Sequence, residues 1–140
     1  MSTDNRQLIS DLYKFAATGD FVRLGELMAP DYALVQSPGH PMAGTWEGAA
    51  ATAAAGQFSQ ALGISGITVH DIATDGPHRV MSLVDLIGTD GAGRPWTMPL
   101  VECFRIENGR ITEVRPFYWD QHELAAILAS RGITEFRPTV

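Results

Sequence analysis

The chain has 140 residues, 45% of them hydrophobic, with 16 acidic and 10 basic side chains and a formal charge of −6. That length suits one domain, large enough to bury a core without staples and to leave about 7,000 Å² exposed. The acidic balance, with no basic cluster, argues against nucleic-acid or anionic-membrane partners, and the single cysteine, Cys103, excludes an intramolecular disulfide or a cysteine metal cluster.

The start, MSTDNRQLISDLYKF, has no basic region followed by an apolar core, and no run approaches 18 apolar residues. A cytoplasmic protein with no membrane span is the expectation. Leu8, Ile9, Leu12, Phe15 and Ala16 recur at helical spacing, with Asp4 and Gln7 placed as a capping box, which predicts a helix over 5–17. Gly19 breaks it. Asp20 can cap a second helix burying Phe21, Leu24, Leu27 and Met28, and Pro30 is expected to close it.

Tyr32 to Gln36 reads as a short strand, and SPGHPMAGTW, with two prolines and two glycines, as a shaped loop. Glu47 to Leu62 is predicted to form a long alanine-rich helix whose small side chains permit close approach, with Phe58 and Leu62 as anchors. Strands follow over 67–73, 79–88, 95–106 and 110–119, with Asp75-Gly76, Asp90-Gly91 and Asn108-Gly109 supplying turns. After Trp119 the period returns to about 3.6 through Leu124, Ile127 and Leu128, and Asp120 with Glu123 forms a second capping box. Helices in one block and antiparallel strands in another predict an α+β domain.

The stretch FRIENGRITEVRPFYWD, a hairpin leading into a strand that ends in aromatics and an acid, resembles the SnoaL-like branch of the NTF2-like superfamily, which includes ketosteroid isomerases, limonene epoxide hydrolases and polyketide cyclases. The resemblance implies a cone-shaped α+β barrel, with amino-terminal helices packed on a strongly curved, mostly antiparallel sheet. A mostly apolar pocket is then expected between sheet and helices. In the resembled hydrolases and cyclases an acid near the end of this strand faces the pocket, and Asp120 is its nearest match. The ketosteroid isomerases carry a base aspartate just before a proline where this chain has Ser37 before Pro38, and serine without activation is a poor base. Apolar positions on the late strands, Leu83, Val101 and Phe117, suggest a homodimer through the outer sheet face.

Asp120 can act as a helix cap, as an acid or base beside Tyr118, or as a ligand-binding group. Asp85 and Glu102 are carboxylates inside apolar strands, a costly placement unless they are paired or wet. Each either faces solvent or the dimer rim or projects into a polar part of the cavity; strict alternation groups Glu102 with Met98, Leu100 and Phe104, and Asp85 with Met81, Leu83 and Ile87, which makes both candidates for the inward face. Met98 thereby joins the candidate substrate-lining residues.

Arg115 can neutralise an acid, hold an anionic group, or form a surface ion pair. Tyr32 and Tyr118 can donate to a developing negative oxygen or serve as core aromatics. Trp46, Trp96 and Trp119 can line a ligand cavity or simply pack. His40, in the proline-glycine loop, can relay protons or be an exposed loop residue. His70, His78 and His122 show no metal-ligand spacing, and no metalloprotease, serine-nucleophile, phosphate-loop or dinucleotide motif occurs. The expectation is a cofactor-independent acid/base enzyme acting on a hydrophobic oxygenated small molecule by cyclisation, isomerisation, dehydration or epoxide opening. The alternative is a non-catalytic ligand-binding or dimeric interaction domain.

Overall fold

The structure, a computed structural model, describes residues 2–140, with side chains from Asp4 onward. The elements run α1 (Ser2–Thr18), α2 (Phe21–Glu26), β1 (Met28–Gln36), β2 (Gly44–Glu47), α3 (Gly48–Leu62), β3 (Ile64–Asp75), β4 (Arg79–Thr89), β5 (Pro95–Glu107), β6 (Arg110–Tyr118) and α4 (Gln121–Ser130). The accessible surface is 7491 Å², close to what the chain length requires.

The six strands form one mixed sheet in the order β2-β1-β6-β5-β4-β3. The strands β3 to β6 are the antiparallel meander, whereas β1 enters parallel to β6, with Leu34 opposite Val114. The expected cone-shaped barrel is corrected here: β2 and β3 are edges that do not pair with each other, so the sheet is open, and it is not strongly curved. Closure would have required those two edges to meet, and the hairpin partner of β2 is β1 alone.

Local chemistry accounts for most of the boundaries. Asn108 and Gly109 both adopt positive φ, 52° and 75°, the pair of conformations a two-residue hairpin turn needs. Asp20 caps α2 by accepting from the Arg23 N–H at 3.2 Å, and Asp120 caps α4 by accepting from the Glu123 N–H at 3.2 Å. The α1 helix begins before the expected cap, so Asp4 lies in its first turn, where a carboxylate still favours the helix dipole.

Two expectations fail for tertiary reasons. The α2 helix ends at Glu26 rather than near Pro30, because the Leu27 carbonyl accepts from the Ile111 N–H at 3.1 Å and commits the chain to the sheet. Pro30 then falls between Met28 and Ala33, where the β1–β6 register shifts and a missing N–H is tolerated. Part of the proline-glycine loop is also strand: β2 returns along β1, with Trp46 opposite Leu34.

The α1 helix lies over β3 and β4, and α3 over β1. Between them and the sheet sits the core, including Ile9, Leu12, Ala51, Ala54, Leu62, Val80, Val84, Phe104 and Ile111. The opposite sheet face carries Met81, Leu83, Val101 and Phe117 with no helix over it, and Phe117 is 56% exposed.

Candidate functional site

On the helix-covered face of the sheet the alternation is apolar except for one polar stripe. Ser82 on β4 stands opposite Glu102 on β5, Glu102 opposite Pro116 on β6, and Tyr118 one diagonal step away, opposite Leu100. Gln36 at the end of β1 extends the stripe. Above it α1 contributes Tyr13, whose hydroxyl donates to Glu102 Oε1 at 2.7 Å and lies 2.5 Å from Ser82 Oγ. With the Tyr13 hydrogen committed to Glu102, the Ser82 hydroxyl donates to Tyr13, giving a chain from Ser82 through Tyr13 to Glu102.

These groups surround a cavity of about 140 Å³ between the sheet and the helices. Its walls are otherwise mostly apolar, with Leu12, Leu86 and Phe104 among them and Ala55, Phe58 and Ser59 from α3. Glu102 keeps partial accessibility because it lines this cavity, yet its surroundings exclude bulk water. Burial therefore raises its pKa to about 7, against a smaller lowering by the Tyr13 hydrogen bond.

Tyr118 is shifted strongly upward, first by burial and then by the Glu102 charge, so it remains a neutral donor. The Gln36 side chain beside it offsets part of that rise, and Gln36 Oε1 is buried with no partner. The Tyr118 phenol lines the cavity, within which it can donate to a ligand oxygen. Tyr32 also lines the cavity and shares a hydrogen bond with Thr52 Oγ1 at 2.7 Å, its pKa raised by burial.

His40 is buried rather than exposed, at 4% accessibility, wedged between the rings of Phe58 and Tyr118 with centroids 5.0 and 4.8 Å away. Its Nδ1 accepts from the Met42 N–H at 2.8 Å, placing the proton on Nε2, which has no partner. Burial lowers its pKa to about 4, so the ring is neutral at pH 7.

The remaining candidates lie elsewhere. Asp120 caps α4 and, with Trp96, Met98 and Trp119, lines a separate polar depression of about 310 Å³ that shares no lining residue with the cavity. Trp119 is 82% exposed. Asp85 occupies the outer face, its Oδ2 2.8 Å from His70 Nε2. The alternation grouped it correctly with Met81, Leu83 and Ile87, and that set faces outward, so of the two readings for Asp85 the solvent and rim side holds and the cavity side does not. Arg115 is on the outer face beside Glu113 at 3.6 Å, and Trp46 donates to the Met42 carbonyl at 2.8 Å without lining the cavity.

Sequence reading missed Tyr13, Ser82 and Gln36. The signals were present: Tyr13 lies one helical turn after Ile9 on the buried face, and Ser82 shares the buried parity of β4 with Val80 and Val84. No group of three His, Cys, Asp or Glu residues that could hold a metal occurs among the described residues. No helix among them is long and apolar enough to cross a membrane.

The sequence profile of the SnoaL-like domain matches residues 9–114, which spans every element bearing the site up to the middle of β6. The chain belongs to the SnoaL-like family. Solved structures share the fold of this SnoaL-like chain. An NTF2-like protein of unknown function from Burkholderia pseudomallei is 22% identical over 89% of this chain and 97% of its own, with a TM-score of 0.74. A protein of unknown function with a cystatin-like fold from Xanthomonas campestris is 26% identical over 87% and 95%, with a TM-score of 0.75. TerC, co-crystallised with polyporic acid, is 18% identical over 90% and 98%, with a TM-score of 0.75. Among curated proteins none matches this sequence.

Proposed function

We propose that this SnoaL-like protein is a cofactor-independent acid/base enzyme acting on a hydrophobic oxygenated small molecule, with Glu102 as the proton-transfer group. The observation that carries the reading is a carboxyl lining a mostly apolar cavity, hydrogen-bonded to Tyr13 and one diagonal step from the Tyr118 phenol; burial there pushes the carboxyl's pKa up to about 7. A general base or acid works best with a pKa near the operating pH.

In the step this geometry suits, a carbonyl oxygen accepts from Tyr118 while the Glu102 carboxylate takes a proton from the adjacent carbon. The C–H electrons move onto the oxygen, and Glu102-H then returns the proton to the same or another carbon. Such a step is common to isomerisation, aldol cyclisation and dehydration. The fold is shared with TerC, which was co-crystallised with polyporic acid.

This assigns turnover to Glu102 rather than to Asp120, whose carboxylate is engaged by the α4 amino terminus. The test is exchange of the protons of 2,4-pentanedione into deuterated water, followed by NMR. Wild type accelerates exchange over buffer and Glu102→Gln loses at least about a hundredfold of that acceleration. Equal acceleration by the two proteins rejects the assignment.

The partner in solution is a second copy. Leu83, Val101 and Phe117 stand side by side across β4, β5 and β6 on the uncovered face, with Met81 beside them. A contiguous apolar strip of this kind supports a face-to-face homodimer.

A further inference from the structure

A cavity of about 140 Å³ is below the size, roughly 300 Å³, at which pockets begin to house a drug-sized ligand. Alongside it, bounded by the end of α1, by α2 and by α3, runs a groove of about 960 Å³. Ala16, Phe21, Met28, Tyr32, Ser59 and Ile64 line both spaces, so a single layer of side chains separates them. Phe21, at the head of α2, is only partly buried, and its ring lies against α3 at Gly56, where an added Cβ would stand 3.4 Å from it.

Beyond that layer the groove walls are short. Ala17, Gly25, Ala49 and Ala53 leave room, and Val22 offers an apolar side chain that is 78% exposed. Glu26 is the one charged residue among the lining residues, so the groove offers no cation to an acidic group. At the inner end, Gln36 is 94% buried by its 6% accessibility, lines the cavity, and has an amide oxygen without a protein partner. A buried polar atom in that state costs free energy until a ligand or water satisfies it.

We propose that cavity and groove together form one site for an elongated neutral molecule. Its oxygenated head lies beside Glu102, Tyr118 and Gln36, and its aliphatic chain leaves past Phe21 along α3. The head rests on the acid/base reading above; the chain and its route are new. Phe21 is the gate residue, because the layer opens when its ring swings off Gly56 toward solvent. An anionic tail would meet Glu26 in a chain that already carries net negative charge, which is why the occupant is neutral.

The probes are 2,4-alkanediones from 2,4-pentanedione to 2,4-tridecanedione, with binding measured by calorimetry on the full chain. Affinity rises about fourfold per added methylene over the carbons that enter the groove. Ala53→Leu and Ala49→Leu, both at exposed positions, abolish that rise and leave 2,4-pentanedione binding unchanged. Gly56→Leu gives the same result by pinning Phe21 shut, and the two exposed variants decide the matter if Gly56→Leu does not fold. Affinity that is flat with chain length overturns the proposal, as does a rise that Ala53→Leu and Ala49→Leu both leave intact. Either outcome leaves the acid/base reading standing, since that reading fails only on proton exchange that Glu102→Gln does not slow.

Discussion

Tyr13 on the first helix and Glu102 on the fifth strand are 89 positions apart in sequence and 2.7 Å apart in space, the phenol donating to the carboxylate. The bond ties the helix layer to the sheet at the one place where the sheet's inner face is charged. It also lowers a pKa that burial raises, so Tyr13 tunes the group that the proposed chemistry uses.

Tyr13→Phe removes the donor and leaves burial unopposed. The Glu102 pKa moves upward, above its value of about 7, and the ascending limb of the kcat/KM profile for 2,4-pentanedione exchange shifts to higher pH. Loss of the hydroxyl also leaves Ser82 and Glu102 without their shared partner, which costs about 1–3 kcal/mol of stability. A pH titration of exchange checks the first effect and urea denaturation the second.

In wild type the same profile rises through about pH 7, since the base is the ionised carboxylate and the free group titrates there. Glu102→Gln flattens the limb together with the rate. A profile that instead falls through pH 7 makes Glu102 the acid of the rate-limiting step.

Two buried groups pull stability in opposite directions with pH. Glu102 titrates near 7 in the folded chain and near 4.5 when unfolded, so between those values the folded state holds a proton the unfolded state has lost, and stability falls as pH rises. His40 titrates near 4 folded and near 6.5 unfolded, so the unfolded state takes up a proton first and stability falls as pH drops. Each limb amounts to about 3 kcal/mol at full extent. Over pH 4.5–6.5 they oppose, so wild type changes little from these two groups. Glu102→Gln exposes the His40 slope and gains stability with rising pH, whereas His40→Gln exposes the reverse. Urea midpoints at pH 4.5, 5.5 and 6.5 check the signs.

The uncovered sheet face gives a prediction about mass. Phe117→Asp places a charge in the row Leu83–Val101–Phe117, where a partner would desolvate it, and converts a dimer to a monomer by light scattering across concentration. Far-ultraviolet dichroism stays native, because Phe117 is 56% exposed in the single chain.

Asp120 is expected to matter for stability alone. Asp120→Ala removes the bond to the Glu123 N–H and costs about 1 kcal/mol. Asp120→Asn, an equally good cap, costs little, and neither changes proton exchange. Loss of exchange in Asp120→Asn with unchanged stability would return the carboxylate to the chemistry.

Period and punctuation carried much of the architecture into view. The alternation around Glu102 identified a carboxylate with buried companions, and Asn108-Gly109 announced its hairpin. Alternation could pair Asp85 with Met81 and Leu83 but not say which face a helix would cover, because both parities of β4 are apolar and the outer one is left bare. The open sheet was not legible either: β1 reads as an isolated strand, and nothing local says that it lies parallel to the last one. His40 looked like a surface loop residue because prolines and glycines surround it, yet the Met42 N–H and two aromatic rings hold it inside. Tyr13 was hidden by its neighbours, since a helix face is recognised by its apolar members and this one carries its polar tip inward.

The parallel seam between β1 and β6 has a consequence for how the protein comes to exist. Leu34 waits for Val114, so on the ribosome the amino-terminal half is complete long before the strand that seats it. Until β6 emerges, Tyr13 has only part of its surroundings, and the underside of α3 has no floor along β1. Closing a loop of that length is slow, and the nascent chain carries bare apolar surface in the meantime. The cavity therefore cannot close until β6 is added, and truncations just short of Tyr118 should be clients of chaperones rather than folded proteins with a weakened site.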